Sequence, residues 1–323
     1  MQALLLVRNH FARAVNGNPT GFRCLSICND GRAALMLVRE PGVMNKDEIH
    51  YSVALFSTIG NPTRLRLPTR GLTPWRTTSA NHGPFGFLAT TAGDLYALDL
   101  AARSVPVQLG QHQEEFPDVL ECTDDGALLV AAGFDGISCW DRAAARCLWR
   151  RSDIGPYNGT FVPGTKRFFA ALETGPILEL DASSGITLRE LTNHCGSFIQ
   201  LDISADGQRL AATNAFGACV VSELATGKSL WSRPARIHGG TPRFSPDGSI
   251  LMVPDQRGRP RVSVLSAASG DLLGELIGAQ AAIVGLAVTP QGAVYAWDLS
   301  GTVSVWDLAS RRLRFQFHPG KST

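Results

Sequence analysis

The sequence lacks the apolar segments that mark membrane and secreted proteins. None of its 323 residues lies in an apolar run that approaches the ~20 residues of a membrane-spanning helix. The apolar stretch at residues 3–7 is shorter than the hydrophobic region of a secretory signal, and no basic residue precedes it. We therefore expect a cytoplasmic protein that does not use a membrane as partner.

The sequence also lacks an excess of charge of either sign. Thirty Lys and Arg residues face 28 Asp and Glu residues, which leaves a formal net charge of +2. A balance this even gives no general reason to expect nucleic acid or an anionic surface as partner, so electrostatic contacts must come from local patches. With 44% hydrophobic and 18% charged residues, the composition is that of an ordinary globular protein.

Paired cysteines and enzyme motifs are missing as well. The seven cysteines are scattered, and the Cys24-x3-Cys28 pair has no second pair at the spacing of a zinc site. We expect reduced structural thiols and no metal. No segment of ten or more residues has helical periodicity, and no glycine-rich loop leads from a strand into a helix, so nothing indicates a nucleotide-binding α/β enzyme.

The sequence is rich in glycine, with 33 residues, and many of them stand in a regular series of tight turns. Turns such as "NDG", "DDG", "ADG" and "PDG" recur every 38 to 52 residues. Their glycines are Gly31, Gly83, Gly126, Gly164, Gly207, Gly248 and Gly292. Such even spacing over the whole chain indicates an internal repeat.

Each repeat contains four short apolar runs, which predicts four strands in about 42 residues. In each repeat, the glycine turn is followed by two apolar runs. The second of them ends as "VALFS", "LYALD", "ISCWD", "ILELD", "VVSEL", "VSVLS" or "VSVWD". Two of these endings carry the pair Trp-Asp, at Trp140-Asp141 and Trp306-Asp307. Seven such units are typical of radially arranged antiparallel sheets.

These repeats resemble those of WD-repeat β-propellers. The resemblance implies an all-β fold, a seven-bladed β-propeller of four-stranded antiparallel blades, in one domain that spans 1–323. Its blades are expected at about 23–67, 72–109, 116–151, 157–192, 197–233, 240–277 and 282–318. Residues 3–7 are a candidate closing strand, and residues 39–51 are expected to form an inserted surface loop.

In that family a His, a Ser, a turn Asp and the Trp form a hydrogen-bonded group that braces each blade. Blade 3 matches most of it with His112, Asp135 and Trp140, while Ala132 stands at the Ser position. Blade 7 has Ser300 in place of the turn Asp. The histidines of successive links either belong to such groups or converge on a metal in the channel. They are His112, His194 and His238.

The resemblance places partner contacts on one rim, the top face, formed by the turns between strands 2 and 3 and by the links between blades. Basic side chains cluster there in and before blade 6, at Arg236, His238, Arg243, Arg257, Arg259 and Arg261. They predict a cationic patch for a carboxylate-rich peptide, a phosphate or a nucleic-acid backbone. The alternative is a solvated arginine-rich turn.

The link into blade 3 is acidic and predicts a polarised top face. It carries Glu114, Glu115 and Asp118, followed by Glu121. Three blades separate these carboxyl groups from the basic cluster, an arrangement that orients a partner more than it strengthens binding. The alternative role of the acids is solubility.

The sequence thus predicts a non-catalytic interaction scaffold, a WD-repeat-like subunit or adaptor that is monomeric alone and binds one or more proteins or peptides through its top face. No catalytic residue, cofactor or metal is expected. One alternative is a propeller enzyme of lactonase or quinoprotein type, although the calcium ligands and adjacent cysteines of quinoproteins are not recognisable. The other is nucleic-acid or phosphate binding through the blade 6 arginines.

Overall fold

A computed structural model describes the chain from residue 22 to residue 317 with gaps. Backbone is described for 22–28, 33–39, 51–57, 63–66 and 74–317, apart from 103–104, 114, 174, 192–195, 198, 215–217, 235–240 and 256–258. Side chains are described from residue 75 onward, except at residue 234. The candidate closing strand at 3–7 and residues 40–50 of the expected inserted loop lie outside these residues.

Every described element is a strand. Blade 1 consists of β1 (Phe22–Cys28), β2 (Ala33–Arg39), β3 (Tyr51–Ser57) and β4 (Thr63–Arg66). Blade 2 consists of β5 (Pro74–Ser79), β6 (Phe85–Thr90), β7 (Asp94–Asp99) and β8 (Val107–Gln111). Blade 3 consists of β9 (Val119–Cys122), β10 (Leu128–Gly133), β11 (Gly136–Asp141) and β12 (Arg146–Arg151).

The second half of the chain repeats this order. Blade 4 consists of β13 (Pro156–Phe161), β14 (Arg167–Leu172), β15 (Ile177–Asp181) and β16 (Thr187–Leu191). Blade 5 consists of β17 (Ile199–Ile203), β18 (Arg209–Asn214), β19 (Ala218–Glu223) and β20 (Ser229–Pro234). Blade 6 consists of β21 (Arg243–Phe244), β22 (Ile250–Asp255), β23 (Arg261–Ser266) and β24 (Leu272–Ile277). Blade 7 consists of β25 (Ile283–Val288), β26 (Ala293–Asp298), β27 (Val303–Asp307) and β28 (Leu313–Phe317).

The strands of each sheet pair in chain order, and neighbouring strands are antiparallel, as in the pairing of β10 with β9 and β11. The first strand of each sheet lies innermost, because it is the strand that contacts the first strands of the neighbouring blades. First strands of successive blades contact one another, and β1 lies against both β5 and β25. The expected all-β propeller with four-stranded antiparallel blades is confirmed. Six blades, blades 2 to 7, are described with side chains apart from the gaps given above, against the seven expected. Blade 1 is described by backbone pairing alone, and its role in ring closure belongs to the proposal below.

The apolar core is divided into layers between neighbouring blades. One layer joins blades 2 and 3, and further layers join 3 to 4, 4 to 5, 5 to 6 and 6 to 7. A middle strand is therefore covered on both faces, as in β10, where all six residues are buried. This explains why the middle strands are continuous apolar runs and not alternating ones.

Hydroxyl and carboxylate side chains fix the turns between strands 1 and 2. In blade 3, Thr123 Oγ1 donates to Asp125 Oδ1 at 2.6 Å, and the backbone N–H of residue 127 donates to the same oxygen at 2.9 Å. These bonds stabilise the carboxylate and lower the pKa of Asp125. Gly126 has φ of 65°, a conformation that glycine adopts without steric cost. The glycine turns that revealed the repeat are thus required by backbone geometry.

A Trp-x-Arg pair on an outer strand attaches that blade to the next one. Trp149 Nε1 donates to the carbonyl oxygen of Ala182 at 2.8 Å, and Arg151 Nη1 donates to the carbonyl oxygen of Gly185 at 2.9 Å. Blade 5 repeats the arrangement, since Trp231 Nε1 donates to the Ala267 carbonyl oxygen at 2.9 Å. These contacts fix the angle between neighbouring blades at the perimeter.

In the described part of the chain, the structure contains no helix with the length and hydropathy that crossing a bilayer takes.

Candidate functional site

The top face carries an open cleft at the junction of blades 2 and 3. Its volume is about 600 Å³, which is within the range of small-ligand sites. The cleft lies where β8 ends and the link to β9 begins, and β11 and β12 form its far wall. The lining residues are Ala92, Gly110, Gln111, His112, Gln113, Glu115, Trp140 and Arg150.

His112, Ser138 and Trp140 form the buried base of this cleft. His112 is 2% exposed, and its Nδ1 lies 2.8 Å from Ser138 Oγ. Trp140 Nε1 donates to the same oxygen at 2.9 Å. The bracing group expected in blade 3 therefore has its hydroxyl, which comes from Ser138 and not from the position of Ala132, whereas the expected Asp135 does not reach His112 Nε2. The hydroxyl comes from β11, whose residues 138 and 140 face the same side of the strand.

The contact between His112 Nδ1 and Ser138 Oγ fits either tautomer of the imidazole. If the hydroxyl donates to the Ala131 carbonyl oxygen, which lies 3.3 Å away, Nδ1 carries the imidazole proton and Nε2 is an acceptor. If the hydroxyl donates to Nδ1, Nε2 carries the proton. No hydrogen-bond partner reaches Nε2 within the described residues. Burial, followed by the charge of Arg150, lowers the pKa of His112 to about 4, so the ring is neutral at pH 7.

The rim of the cleft presents more acceptors than donors. Gln111 uses its amide nitrogen on the Ala92 carbonyl oxygen, and Gln113 uses its own on the Asp135 carbonyl oxygen, both at 2.9 Å. Arg150 Nη2 donates to the Gln111 carbonyl oxygen at 2.8 Å, and its guanidinium carbon lies 5.2 Å from the Trp140 ring centroid. The amide oxygens of both glutamines therefore remain as acceptors on the rim.

Two exposed phenylalanines stand on the loops that flank this cleft. Phe116, in the link from blade 2, is 43% exposed, and Phe134, in the turn from β10 to β11, is 52% exposed. Phe116 packs edge-on against Trp75 with ring centroids 5.1 Å apart. Its φ of 57° is an uncommon conformation for a bulky residue. The sequence analysis missed both phenylalanines.

Several residues of the expected partner-binding set can be placed, and the others cannot. Glu114, Arg236, His238 and Arg257 lie outside the described residues, as does His194. Arg259 is exposed in the turn from β22 to β23. Glu115 lines the cleft, and Asp118 lies later in the same link, directly before β9.

The two remaining arginines of the expected cationic patch take part in ion pairs within the fold. Arg261 Nη2 lies 2.9 Å from Asp255 Oδ2, and Arg261 Nε lies 3.1 Å from Glu275 Oε1. Arg243 Nη1 lies 3.1 Å from Asp202 Oδ1. Pairing with neighbouring carboxylates reduces the charge that these side chains offer to an anion.

Arg243 and Glu121 belong to the central channel and not to opposite sides of the top face. They stand on the innermost strands β21 and β9, close enough for the charge of Arg243 to act on Glu121. Burial raises the pKa of Glu121 to about 7, Arg243 and Arg76 counteract this rise, and Asp202 adds to it. The expected separation of acidic and basic groups is therefore wrong for this pair.

A polar network continues around the channel through blades 4, 5 and 6. Gln200 Oε1 accepts from Asn158 Nδ2 at 3.0 Å and from Thr241 Oγ1 at 2.9 Å. Asn158 Oδ1 in turn accepts from the backbone N–H of Leu201 at 2.8 Å. Burial raises the pKa of Tyr157, and a hydrogen bond with Gln200 counteracts part of this rise. These bonds connect the inner strands of adjacent blades.

Within the residues that the structure describes, no three His, Cys, Asp or Glu side chains cluster as metal ligands do. Asp202, a carboxylate of the channel, is paired with Arg243. The described cysteines are free thiols. We therefore assign no catalytic step to the channel.

Comparisons with known proteins agree on the fold and give a family. A chain in the crystal structure of the mitotic checkpoint complex has a TM-score of 0.72 at 12% identity, over 90% of this chain and 91% of that one. This likeness shows the fold alone. No curated protein matches the sequence significantly. A family model described as outer membrane protein assembly factor BamB, PQQ_2, matches residues 75–313, whereas the expected resemblance was to WD repeats. The chain therefore belongs to the PQQ_2 family of BamB-type propellers.

Proposed function

We propose that this protein is a non-catalytic interaction subunit of a larger assembly and binds a partner protein on its top face, over the cleft of blade 3. It works as a closed ring of seven blades in which blade 1 fills the position between blades 2 and 7. The contacts of β1 with β5 and β25 support this closure. A closed ring leaves no inner strand without neighbours, so the face that carries the cleft is held flat.

The observation that carries the proposal is the pair of exposed phenylalanines beside a polar cleft. Aromatic anchors next to partly satisfied polar groups are typical of binding hot spots. Phe116 also keeps its φ of 57° while its side chain is 43% exposed. A strained backbone that holds an apolar side chain in water lowers stability, and such strain concentrates at functional sites.

The comparisons support the same proposal from outside the site. The family is described by an assembly factor, and the similar structure is part of a protein complex. Both descriptions concern proteins that act together with other proteins. The expected WD-repeat mode of binding, through loops of one face, is retained here as part of the proposal.

The test is a crosslinked co-purification from the cells in which the chain occurs naturally, with two surface variants. Phe116→Ser and Phe134→Ser are expected to lose the captured partner. Ile186→Ser is the matched control, because Ile186 is 62% exposed in the turn between β15 and β16, on the opposite face. The proposal is overturned if both phenylalanine variants keep the partner, or if the control loses it equally.

A further inference from the structure

We propose that the blade 3 cleft binds a cationic side chain, the ammonium of a lysine or the guanidinium of an arginine, that a partner protein inserts from the top face. This inference rests on the proposed function, because it assigns the chemistry of the partner at the same site. Four observations support it: the acceptors of the rim, the buried nitrogen of His112, the charge of the link and the dimensions of the cleft.

The rim acceptors require a ligand that donates hydrogen bonds. The amide nitrogens of Gln111 and Gln113 are used within the fold, which leaves their oxygens oriented by these bonds. Within the described residues no donor reaches these two oxygens, and the carboxylate of Glu115 has no ion pair there. Lysine and arginine side chains carry only donors, three on an ammonium and five on a guanidinium.

His112 places an unpartnered nitrogen at the base of the cleft. Its side chain is 98% buried and lines the cleft, yet Nε2 has no partner in the part of the chain that is described. A buried polar atom without a partner is costly, so a hydrogen-bonding ligand is expected at this site. A donor selects the tautomer in which Nδ1 carries the proton and Nε2 accepts. The ring is neutral at pH 7 and therefore does not repel a cation.

The charge of the link also favours a cation. The sequence "HQEEFPD" at residues 112–118 contains three acidic residues and no Lys or Arg. Arg150 is the opposing charge, but its Nη2 is bonded to the Gln111 carbonyl oxygen and its guanidinium lies beside Trp140, so it stays against the wall. Glu115, which lines the cleft, is the described carboxylate that can attract a basic side chain there.

The dimensions of the cleft fit a side chain and not a folded element. About 600 Å³ of open volume admits one long side chain with its hydration water. The backbone of Gly110 packs directly on the Trp140 ring, because a Cβ at this position would lie 2.5 Å from the ring.

The experiment titrates protein labelled with ¹⁵N in its histidines with the peptide acetyl-Gly-Lys-Gly-amide. Its counterpart with norleucine in place of lysine has the same stem without the charge. We expect the lysine peptide to shift the Nε2 signal of His112, and the norleucine peptide to leave this signal unchanged. Glu115→Gln is expected to weaken lysine binding about 2–5-fold, and Arg150→Gln to strengthen it by a similar factor.

Glu190→Gln is the matched control, since it removes an equal charge from an exposed residue of β16 in blade 4. It is expected to leave binding unchanged. The inference is overturned if norleucine binds as well as lysine, if Glu115→Gln binds no more weakly than Glu190→Gln, or if saturating lysine peptide leaves the His112 signal in place. The loss of partner capture in Phe116→Ser and Phe134→Ser is measured independently of these peptides, so either proposal can fail alone.

Discussion

The Nδ1 atom of His112 lies 2.8 Å from the Oγ atom of Ser138, across the junction between blades 2 and 3. Because Trp140 donates to the same oxygen, one hydroxyl connects the link of blade 2 to the third strand of blade 3. All three side chains are at least 97% buried. The base of the proposed binding cleft is therefore also a point at which two blades are held together.

Replacing Ser138 by alanine is expected to destabilise the fold by roughly 2–4 kcal/mol, since it leaves the buried Nε1 of Trp140 and Nδ1 of His112 without their hydrogen-bond partner. Urea unfolding at pH 7 measures the loss. Ser304→Ala is the matched control, because Ser304 occupies the same position two residues before Trp306 and is equally buried. Among the described residues it accepts from Gln316 alone, and Trp306 donates to the Ile277 carbonyl oxygen instead. Equal losses in the two variants would contradict the bracing role of Ser138.

The contact between Trp231 of blade 5 and Gly270 of blade 6 predicts that one added methyl group lowers the stability of the fold. A Cβ on Gly270 would lie 2.8 Å from the ring of Trp231, and the residue has φ of 76°. Gly270→Ala is therefore expected to cost about 1–3 kcal/mol for the displaced indole in addition to the backbone strain. Thermal unfolding measures it.

Gly248→Ala separates these two costs. Gly248 has a similar φ of 69°, but its nearest neighbour is the Cβ of Ser204 at 3.7 Å, an ordinary contact. This variant is expected to show the cost of backbone strain alone, about 1 kcal/mol. If both variants lose the same stability, the methyl group on residue 270 does not displace the Trp231 ring. The contact between blades 5 and 6 at this point is then weaker than the geometry indicates.

The sequence predicted the features of the fold that depend on neighbouring residues. A turn with positive φ favours glycine, and a strand that is buried on both faces is a continuous apolar run, so both are recognisable in the sequence. Gly126 and β10 show both, and the propeller with four-stranded blades followed from such patterns. The Asp-Gly turns were recognisable because their hydrogen bonds join residues two to five positions apart.

Contacts between distant residues were not predictable in the same way. The pairing of Arg243 with Asp202 joins residues 41 positions apart, so a cluster of arginines in the sequence looked like a free patch. The serine of the bracing group was sought on the second strand, whereas the fold takes it from the third, at Ser138. A search for Ser-x-Trp on the third strand would have found it.

The ion pairs of blade 6 predict different roles for two neighbouring arginines. Arg261 contacts Asp255, which is 4% exposed, so Arg261→Ala is expected to destabilise the fold by roughly 1–3 kcal/mol. Arg259 is exposed in the preceding turn, and Arg259→Ala is expected to change stability by less than about 0.5 kcal/mol. Urea unfolding of both variants checks this, and a larger loss in Arg259→Ala would show that the turn arginine, and not Arg261, holds the blade.

Glu121 predicts a pH dependence of stability. Its pKa of about 7 in the folded chain exceeds its ordinary value of 4.5, mainly because it is buried, so folding favours its protonated form. The stability that protonated Glu121 contributes is fully present below pH 4.5 and is lost as pH rises through 7. Glu121→Gln is therefore expected to become more stable than the natural chain by about 1–2 kcal/mol as pH rises from 5 to 8, less than the full shift because the side chain is partly accessible.

The comparison of the two chains cancels the opposite effect of His112, whose lowered pKa costs stability as pH falls from 6.5 towards 4. Urea unfolding at several pH values measures the difference, and a difference independent of pH would show that Glu121 is ionised in the channel and paired with Arg243.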